Sequence, residues 1–451
     1  MDLPCPLCYA ACMPQTVAKR FLLQSLGCKV NQYECRALAE AWRAQGLVDA
    51  DGPADADLVV LCTCAVTARA EAEGRRLARN LVREIGGQGR VVVTGCAAAV
   101  SPDAFAGLGA VPVADKARLA RHPFSDADAT PRPPETFPDL AVTGYDRARG
   151  LLKIQDGCSH GCSYCIVPSA RGPSVSRPVA AIVAEARRLL KAGRRELGLT
   201  GINLGHFGRD LRPAVNFWQL VADLEQALAP DAAGTARLRL GSLDPAMLDA
   251  EGVAVLAASR MVCPHLHISL QSADPGILAA MGRRPGDAEA VSSFVDKASR
   301  NWPAMGFGCD ILTGFPGESE AAFRVTADFL ERAPLTYAHV FPYSRRPGTR
   351  AADLPGQLPR QVKAERAKIL RGIVEAKSAR FLDRLAGEPH LAVALERRDP
   401  VVGTCGQYVD CRFETAPEAA LGTLAAARPV GTDGAMLRVV ALPGGPQGGR
   451  P

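Results

Sequence analysis

The chain lacks any apolar run approaching the roughly 20 residues of a membrane span. Its first residues also lack the basic lead of a secretory signal, since Asp2 follows Met1 directly. A spanning protein and an exported one are therefore not expected. Strong charge of either sign is missing too. The 53 Lys and Arg against 47 Asp and Glu leave +6, a mild excess that permits a nucleic-acid partner without demanding one. Apolar content of 47% and charged content of 22% are ordinary for a soluble globular protein. Cysteine is not scarce: there are 15. In an exported protein they would pair as disulfides. Here they fall on loops after strands in a long, enzyme-like chain, which points to metal binding in a reducing cytoplasm. A length of 451 residues suggests about three domains.

The densest cysteine group is Gln155-Asp156-Gly157-Cys158-Ser159-His160-Gly161-Cys162-Ser163-Tyr164-Cys165, behind a short strand at Leu151-Leu152-Lys153-Ile154. Its thiols are spaced C-x3-C-x2-C. Soft thiolates suit iron clusters and zinc. The loop lacks a fourth cysteine, as a metal site does when it keeps one position open for substrate. Spacing alone leaves a zinc knuckle open, with His160 as a candidate fourth ligand. A second tight group, Cys5, Cys8 and Cys12, has no strand before it, and residues 1–19 read as a disordered extension in which Met13 is a candidate start.

From Arg20 the chain alternates strands and helices. Strands read at 21–26, 58–61 and 91–94, with helices at about 33–45 and after Cys64, the latter carrying Arg69, Arg75, Arg76, Arg79 and Arg83. This pattern predicts a parallel sheet, whose ligands bind beyond the carboxyl ends of the strands. Cys28, Cys64 and Cys96 each lie about two residues past a strand end, so they converge as a second three-thiol site. Cys62 competes with Cys64, because strand alternation points both to one side; the frame Thr63-Cys64-Ala65-Val66-Thr67 favours Cys64.

Residues 126–143, rich in Pro, Asp, Ala and Thr, read as a linker. From 144 to 385 the alternation resumes for six βα units, too few to close an eight-stranded barrel, so an open (β/α)6 barrel fits. Polar groups gather at its strand ends: Thr200, Gly201 and Asn203, then Gln271 and Ser272, then Asp310. The turn Gly314-Phe315-Pro316-Gly317-Glu318 opens a helix whose start favours a carboxylate or phosphate. A basic helix over about 358–385 is either a solvated face or a phosphate-contacting one. Residues 386–442 contain short strands between Gly and Pro turns, which predicts a small antiparallel β-barrel, a class often used on oligonucleotides. Cys405 and Cys411 read as structural, and 443–451 as a tail.

The C-x3-C-x2-C loop is the signature of the radical S-adenosylmethionine (SAM) enzymes, which this sequence resembles. Its flanks, Tyr164-Cys165-Ile166-Val167-Pro168 with Arg171-Gly172, resemble the methylthiotransferases. So do Leu26-Gly27-Cys28-Lys29-Val30-Asn31-Gln32-Tyr33-Glu34, Thr94-Gly95-Cys96, Asp310 through Glu318, and His339-Val340-Phe341-Pro342-Tyr343-Ser344. Cys35, Cys62, Ala273 and Met281-Gly282-Arg283-Arg284 depart from the family pattern.

The resemblance implies two 4Fe-4S clusters. One, on Cys158, Cys162 and Cys165, binds and cleaves SAM to a 5′-deoxyadenosyl radical. The other, on Cys28, Cys64 and Cys96, carries the sulfur that is inserted. It further implies SAM contacts at Thr200, Gly201, Asn203, Gln271, Ser272 and Asp310, and an RNA-binding TRAM domain over 386–442. The implied partners are tRNA, an electron donor such as flavodoxin or ferredoxin, and a sulfur donor. The segment from Gly27 to Glu34 looks most like the branch that acts on threonylcarbamoyladenosine beside the tRNA anticodon. Alternatives are isopentenyladenosine in tRNA, an aspartate of a ribosomal protein, and, in another class, a non-catalytic zinc and RNA-binding protein.

Overall fold

The computed structural model describes residues 18–125, 136–145, 148–232, 234–302 and 304–443. The readings made for Cys5, Cys8, Cys12 and Met13, for most of the linker and for the tail after Pro443 lie outside the described residues.

The amino-terminal sheet has five strands: β1 (Arg20–Ser25), β2 (Val48–Asp49), β3 (Leu58–Thr63), β4 (Arg90–Gly95) and β5 (Val111–Pro112). Their order is β2-β1-β3-β4-β5, and all pairings are parallel. At two residues each, β2 and β5 are too short to leave a periodic trace, so only the other three are legible from sequence. Every residue of β3 is buried, as expected of a strand covered on both faces. Leu58 and Val60 pack with Tyr33, Leu38 and Trp42 of helix Lys29–Ala44; Val59 and Leu61 pack with Ala78, Leu81 and Ile85 of helix Ala68–Ile85. The first helix begins at Lys29, not Tyr33, because Cys28 takes the extended conformation of an N-cap. The second is capped by Thr67, whose hydroxyl accepts from Ala70 N, and stopped by left-handed Gly86.

The central domain is the expected open barrel. Its strands are Arg149–Lys153, Glu196–Thr200, Arg237–Arg239 continuing as Ser242–Leu243, His265–Gln271, Gly306–Thr313 and Tyr337–Pro342, all parallel to their neighbours. The two sheets they form meet at a bridge between Leu238 and Val262. The described end of the linker is built into the structure: Leu140 and Val142 are buried, Tyr33 donates to the Leu140 carbonyl at 2.9 Å, and Val142 N donates to Glu185 at 3.1 Å.

The turn before helix Glu320–Arg332 supplies its own anion. The Glu318 carboxylate accepts from Gly314 N at 2.8 Å and from Arg366 at 2.6 Å, so no external phosphate is needed there. The basic helix spans Arg360–Leu385. Part of its charge is spent inward: Arg366 on Glu318, Arg371 on the Val340 carbonyl and Lys377 on the Glu331 carbonyl.

The carboxy-terminal barrel closes with five strands: Leu391–Arg398, Val401–Cys405, Asp410–Phe413, Leu424–Asp433 and Met436–Ala441. Against the expectation of a wholly antiparallel barrel, Asp410–Phe413 and Met436–Ala441 pair in parallel. An odd number of strands in a closed ring cannot alternate direction throughout. Its Gly406–Tyr408 turn inserts at the amino-terminal end of the central strands. Arg237 donates to the Ala392 and Thr404 carbonyls, Arg239 to those of Cys405 and Gly406, and the Tyr408 ring lies 5.1 Å from Arg239 and 5.5 Å from Arg149.

Candidate active site

In a parallel sheet of order 2-1-3-4-5 the direction of winding reverses between β1 and β3, and the crevice beyond their carboxyl ends is where ligands bind. Cys28 follows β1, Cys64 follows β3, and Cys96 follows β4 as the first residue of helix Cys96–Val100. The strand ends lie one to three residues before the thiols, and two glycines make the approach possible. Gly27 has φ of 112°, and a Cβ there would stand 3.0 Å from Cys64 Cβ; Gly95 has φ of 90°, and a Cβ there would stand 2.4 Å from the Thr63 carbonyl. Asn31 ties the loops together, donating to the Leu26 and Thr63 carbonyls at 2.8 and 3.0 Å. Burial raises the Cys64 thiol, and Cys96 and Cys28 raise it further as neighbouring charges.

Cys62 and Cys64 do not share a face, because β3 ends at Thr63 and alternation stops there. Cys62 is fully buried with its thiol against that of Cys35, whose ionisation is opposed first by burial and then by that contact. Cys64 is the less buried of the two.

The other triad is held by its own loop. Gly157 has φ of 64°, and a Cβ there would come within 1.8 Å of the Pro173 carbonyl. Cys158 N donates to the Gly172 carbonyl at 3.0 Å. Gln155 is the organiser that sequence reasoning missed. Its amide donates to the Asp156 and Gly157 carbonyls at 2.5 and 2.8 Å, and its oxygen accepts from Ile202 N and Asn203 N at 3.0 and 2.8 Å. The cysteine loop and the Thr200–Asn203 turn are thus fixed to one side chain, and a Cβ on Gly201 would crowd it at 3.0 Å. Asn203 Nδ2 reaches Cys158 Sγ at 3.8 Å, and Arg283 reaches Cys162 Sγ at the same distance. Arg283 also donates to Asp244 at 3.3 Å. Neither Arg283 nor Asp244 was legible as a site residue. Burial and then the Cys162, Cys158 and Cys96 charges push the Cys165 thiol up to about 12. Buried thiols of this kind keep their protons until a metal ion displaces them.

The remaining predicted positions divide. Gln271 ends its strand with φ of 79°. Asp310 faces the barrel interior, 3.1 Å from His267 Nε2. Ser272 is buried, its hydroxyl taken up by Thr326 at 3.2 Å.

The two triads are brought together by a buried ionic network across the domain boundary. Arg171, from the central domain, donates to Cys96 Sγ at 3.3 Å, to Glu34 at 2.8 Å, to Asp156 at 2.9 Å and to Asn31 Oδ1 at 2.7 Å. Lys153 bridges Glu34 and Asp156 at 2.6 and 2.5 Å, and Lys116 reaches Glu34 at 3.1 Å. Burial opposes the charge on Glu34, but Arg171, Lys116 and Lys153 hold its carboxyl well below the usual range. Beside Cys165 a cleft of about 110 Å³ runs between Val66, Tyr164, Phe341 and Tyr343. Val66 and Phe341 are among the few large apolar side chains left exposed.

Among the described residues, no three His, Cys, Asp or Glu side chains are grouped to hold a single metal ion. Each triad instead offers three soft thiols spread over separate backbone positions. That donor set fits the corners of an iron–sulfur cluster, whose irons are distributed over a cube.

Residues 152–330 match the Radical SAM superfamily, and residues 20–111 match Uncharacterized protein family UPF0004. The threonylcarbamoyladenosine tRNA methylthiotransferase MtaB of Rickettsia prowazekii is 34% identical, covering 77% of this chain and 81% of that protein. Its namesake in Bacillus subtilis is 32% identical over 81% and 82%. The tRNA-2-methylthio-N(6)-dimethylallyladenosine synthase of Sphingopyxis alaskensis is 31% identical over 90% and 94%. In fold the chain is similar to the radical SAM methyltransferase TsrM of Kitasatospora setae, with a TM-score of 0.55, 17% identity, and 74% and 77% of the two chains covered. No helix among the described residues is long and apolar enough to cross a membrane. The chain belongs to the radical SAM tRNA methylthiotransferases.

Proposed function

We propose that this enzyme inserts a methylthio group into the adenine of N6-threonylcarbamoyladenosine beside the tRNA anticodon. The observation that supports the reading most is the link between the triads: Arg171, six residues after Cys165, donates to Cys96 Sγ at 3.3 Å, so one side chain joins the thiol sets of two domains. Cys158, Cys162 and Cys165 would hold one 4Fe-4S cluster, with a corner left for SAM. Cys28, Cys64 and Cys96 would hold the other. When bound, the first cluster with SAM supplies hydrogen abstraction, and the second carries the sulfur to be methylated and inserted.

The chain's own groups set the stage for this. Gln155 fixes the Thr200–Asn203 turn beside Cys158, and Thr200, Gly201 and Asn203 would contact SAM there. Gln271, Ser272 and Asp310 complete the set of candidate contacts. The exposed faces of Val66 and Phe341 offer an apolar seat for a base next to Cys165. The carboxy-terminal barrel and the outward cations of helix Arg360–Leu385 serve as the tRNA-binding TRAM-like surface. Electrons come from a flavodoxin or ferredoxin, sulfur from a separate donor, and the work is done in the cytoplasm.

The likeness to the dimethylallyladenosine enzyme, which spans more of both chains, keeps that nucleoside as the second reading. Nucleoside analysis of tRNA from a deletion strain separates the two. Loss of the methylthio derivative of threonylcarbamoyladenosine, restored by the wild-type gene, is expected. Its undiminished persistence would refute the assignment. Iron and sulfide content distinguishes either from a zinc protein.

A further inference from the structure

A cavity of about 1160 Å³ lies where the three domains meet. It is lined by β1 and helix Lys29–Ala44 of the first domain, Arg149 and Leu151 of the second, and Arg397 and Tyr408 of the third. Lys29 projects into it from the position next to Cys28. The side chain is exposed, yet Arg149, Arg239, Glu196 and Asp310 all stand near enough to act on its charge. What it is exposed to is the cavity.

The other cations around this space are mostly spoken for. Arg36 pairs with Glu40 at 2.9 Å, and Arg43 with Asp49 at 2.7 Å. Glu196 is shared by Arg149, Arg237 and Arg239. Asp310 is engaged by His267 at 3.1 Å. Lys29 is left over. Among the described residues no carboxylate lies within ion-pair distance of the Lys29 ammonium, and the Tyr408 ring stands 5.7 Å from it. An ammonium held within protein walls and facing a large cavity is poised for an anion that arrives from outside.

We propose that Lys29 is a specificity-determining residue, pairing with a carboxylate carried on the substituent at N6 of the substrate adenine. The inference rests on the substrate reading above. Its geometric basis is the adjacency of Lys29 to Cys28. In adenine, C2 and C6 flank N1. When C2 is turned toward the sulfur carried at the Cys28 triad, a substituent on N6 emerges to one side of the reacting carbon. The ammonium one residue along the chain from Cys28 lines this cavity, which in this proposal receives the substituent while the base sits toward Val66 and Cys165. A neutral dimethylallyl group would gain nothing from it, so the same contact separates the two nucleosides. An RNA phosphate is the other anion of suitable chemistry, and the test distinguishes them.

Two synthetic anticodon stem-loop RNAs serve as substrates for the reconstituted holoenzyme, one carrying threonylcarbamoyladenosine and one its methyl ester. Wild type, Lys29→Gln and Lys29→Arg are compared by KM and kcat, with iron content confirming that each holds its clusters. The expected result for Lys29→Gln is a KM for the acid raised about tenfold or more, the loss of a charge-assisted hydrogen bond. The ester's KM should be the same in wild type and Lys29→Gln, and Lys29→Arg should recover most of the preference for the acid. An equal rise for acid and ester would assign Lys29 to a phosphate and overturn the proposal, as would an unchanged KM for the acid. If wild type modified neither RNA, the substrate reading and this inference would fall together. Turnover by wild type without the acid-specific change in Lys29→Gln would remove the Lys29 assignment alone.

Discussion

Arg171 Nε lies 3.3 Å from Cys96 Sγ, a contact between a residue six positions after the C-x3-C-x2-C loop and the last cysteine of the other triad. One guanidinium therefore touches a thiol of the first domain while its other nitrogens hold Glu34 and Asp156. This side chain and the charges it neutralises tie the two cysteine-bearing regions together.

Arg171→Met should accordingly do more than loosen one contact. It leaves Glu34 and Asp156 buried with too few cations, a change that typically costs about 3–5 kcal/mol. Arg171→Lys, with one point charge in place of a fork, should recover only part of this. Chemical denaturation reads the stability, and iron per chain reads the effect at the triads.

The triads themselves should separate by function. Alanine at Cys158, Cys162 and Cys165 should abolish reductive cleavage of SAM to 5′-deoxyadenosine. Alanine at Cys28, Cys64 and Cys96 should preserve that cleavage but stop formation of the methylthio nucleoside. Each triple variant should hold about half the iron of the wild type, by analogy with two clusters of equal size. Deoxyadenosine made by the first variant would overturn the division of roles.

Gly157→Ala should disable the C-x3-C-x2-C loop without touching a thiol. Its φ of 64° and the 1.8 Å approach of the Pro173 carbonyl leave no room for a methyl group. Anaerobic reconstitution followed by iron analysis should show the loss confined to one cluster, whereas Gly161→Ala, with its nearest neighbour 3.9 Å away, should be tolerated.

Acid should weaken the joint between the central and carboxy-terminal domains, where the His265 ring of the central domain lies 4.7 Å from the ring of Tyr408. Burial, then Arg239, His267, Lys29 and Arg149, holds His265 well below its ordinary value near 6.5, so it is neutral in the fold. In the unfolded chain it takes up a proton below about pH 6.5. The stability it contributes is therefore complete above that pH and declines below it, by up to about 1.4 kcal/mol per pH unit. Thermal melting from pH 8 to pH 5 should show this slope, reduced in His265→Gln.

Tyr408→Ala should detach the barrel that it anchors. The ring is placed among Arg239, Arg149 and Lys29, and each such cation–π contact contributes about 0.5–2 kcal/mol. Limited proteolysis between Leu385 and Leu391 should become faster, and affinity for tRNA should fall. Tyr408→Phe, which keeps the ring, should behave nearly as the wild type.

Some of these features were readable in the chain and others were not, for physical reasons. Strands 58–61 and 91–94 are read to within two residues of their ends, because continuous apolar runs mark them. The two-residue strands β2 and β5 carry no period and escape. The anion at the Gly314–Glu318 turn turns out to be the chain's own Glu318, which depends on Arg366, 48 residues onward, and no local pattern reports that. Gln155, Arg283 and Asp244 are ordinary polar residues by sequence; only their partners make them part of the site.

What the sequence determined by itself is the chemistry: two sets of three thiols, one in a contiguous loop and one at three strand ends, with glycines where the backbone must turn. Local spacing and hydrophobic period carry that much. Tertiary structure decided which thiols face each other. It withdrew Cys62 to Cys35 by ending β3 at Thr63, brought Cys96 to Arg171 through a buried ionic network, and left the Lys29 ammonium facing a cavity. Those outcomes depend on charges and surfaces from all three domains, which no stretch of sequence contains.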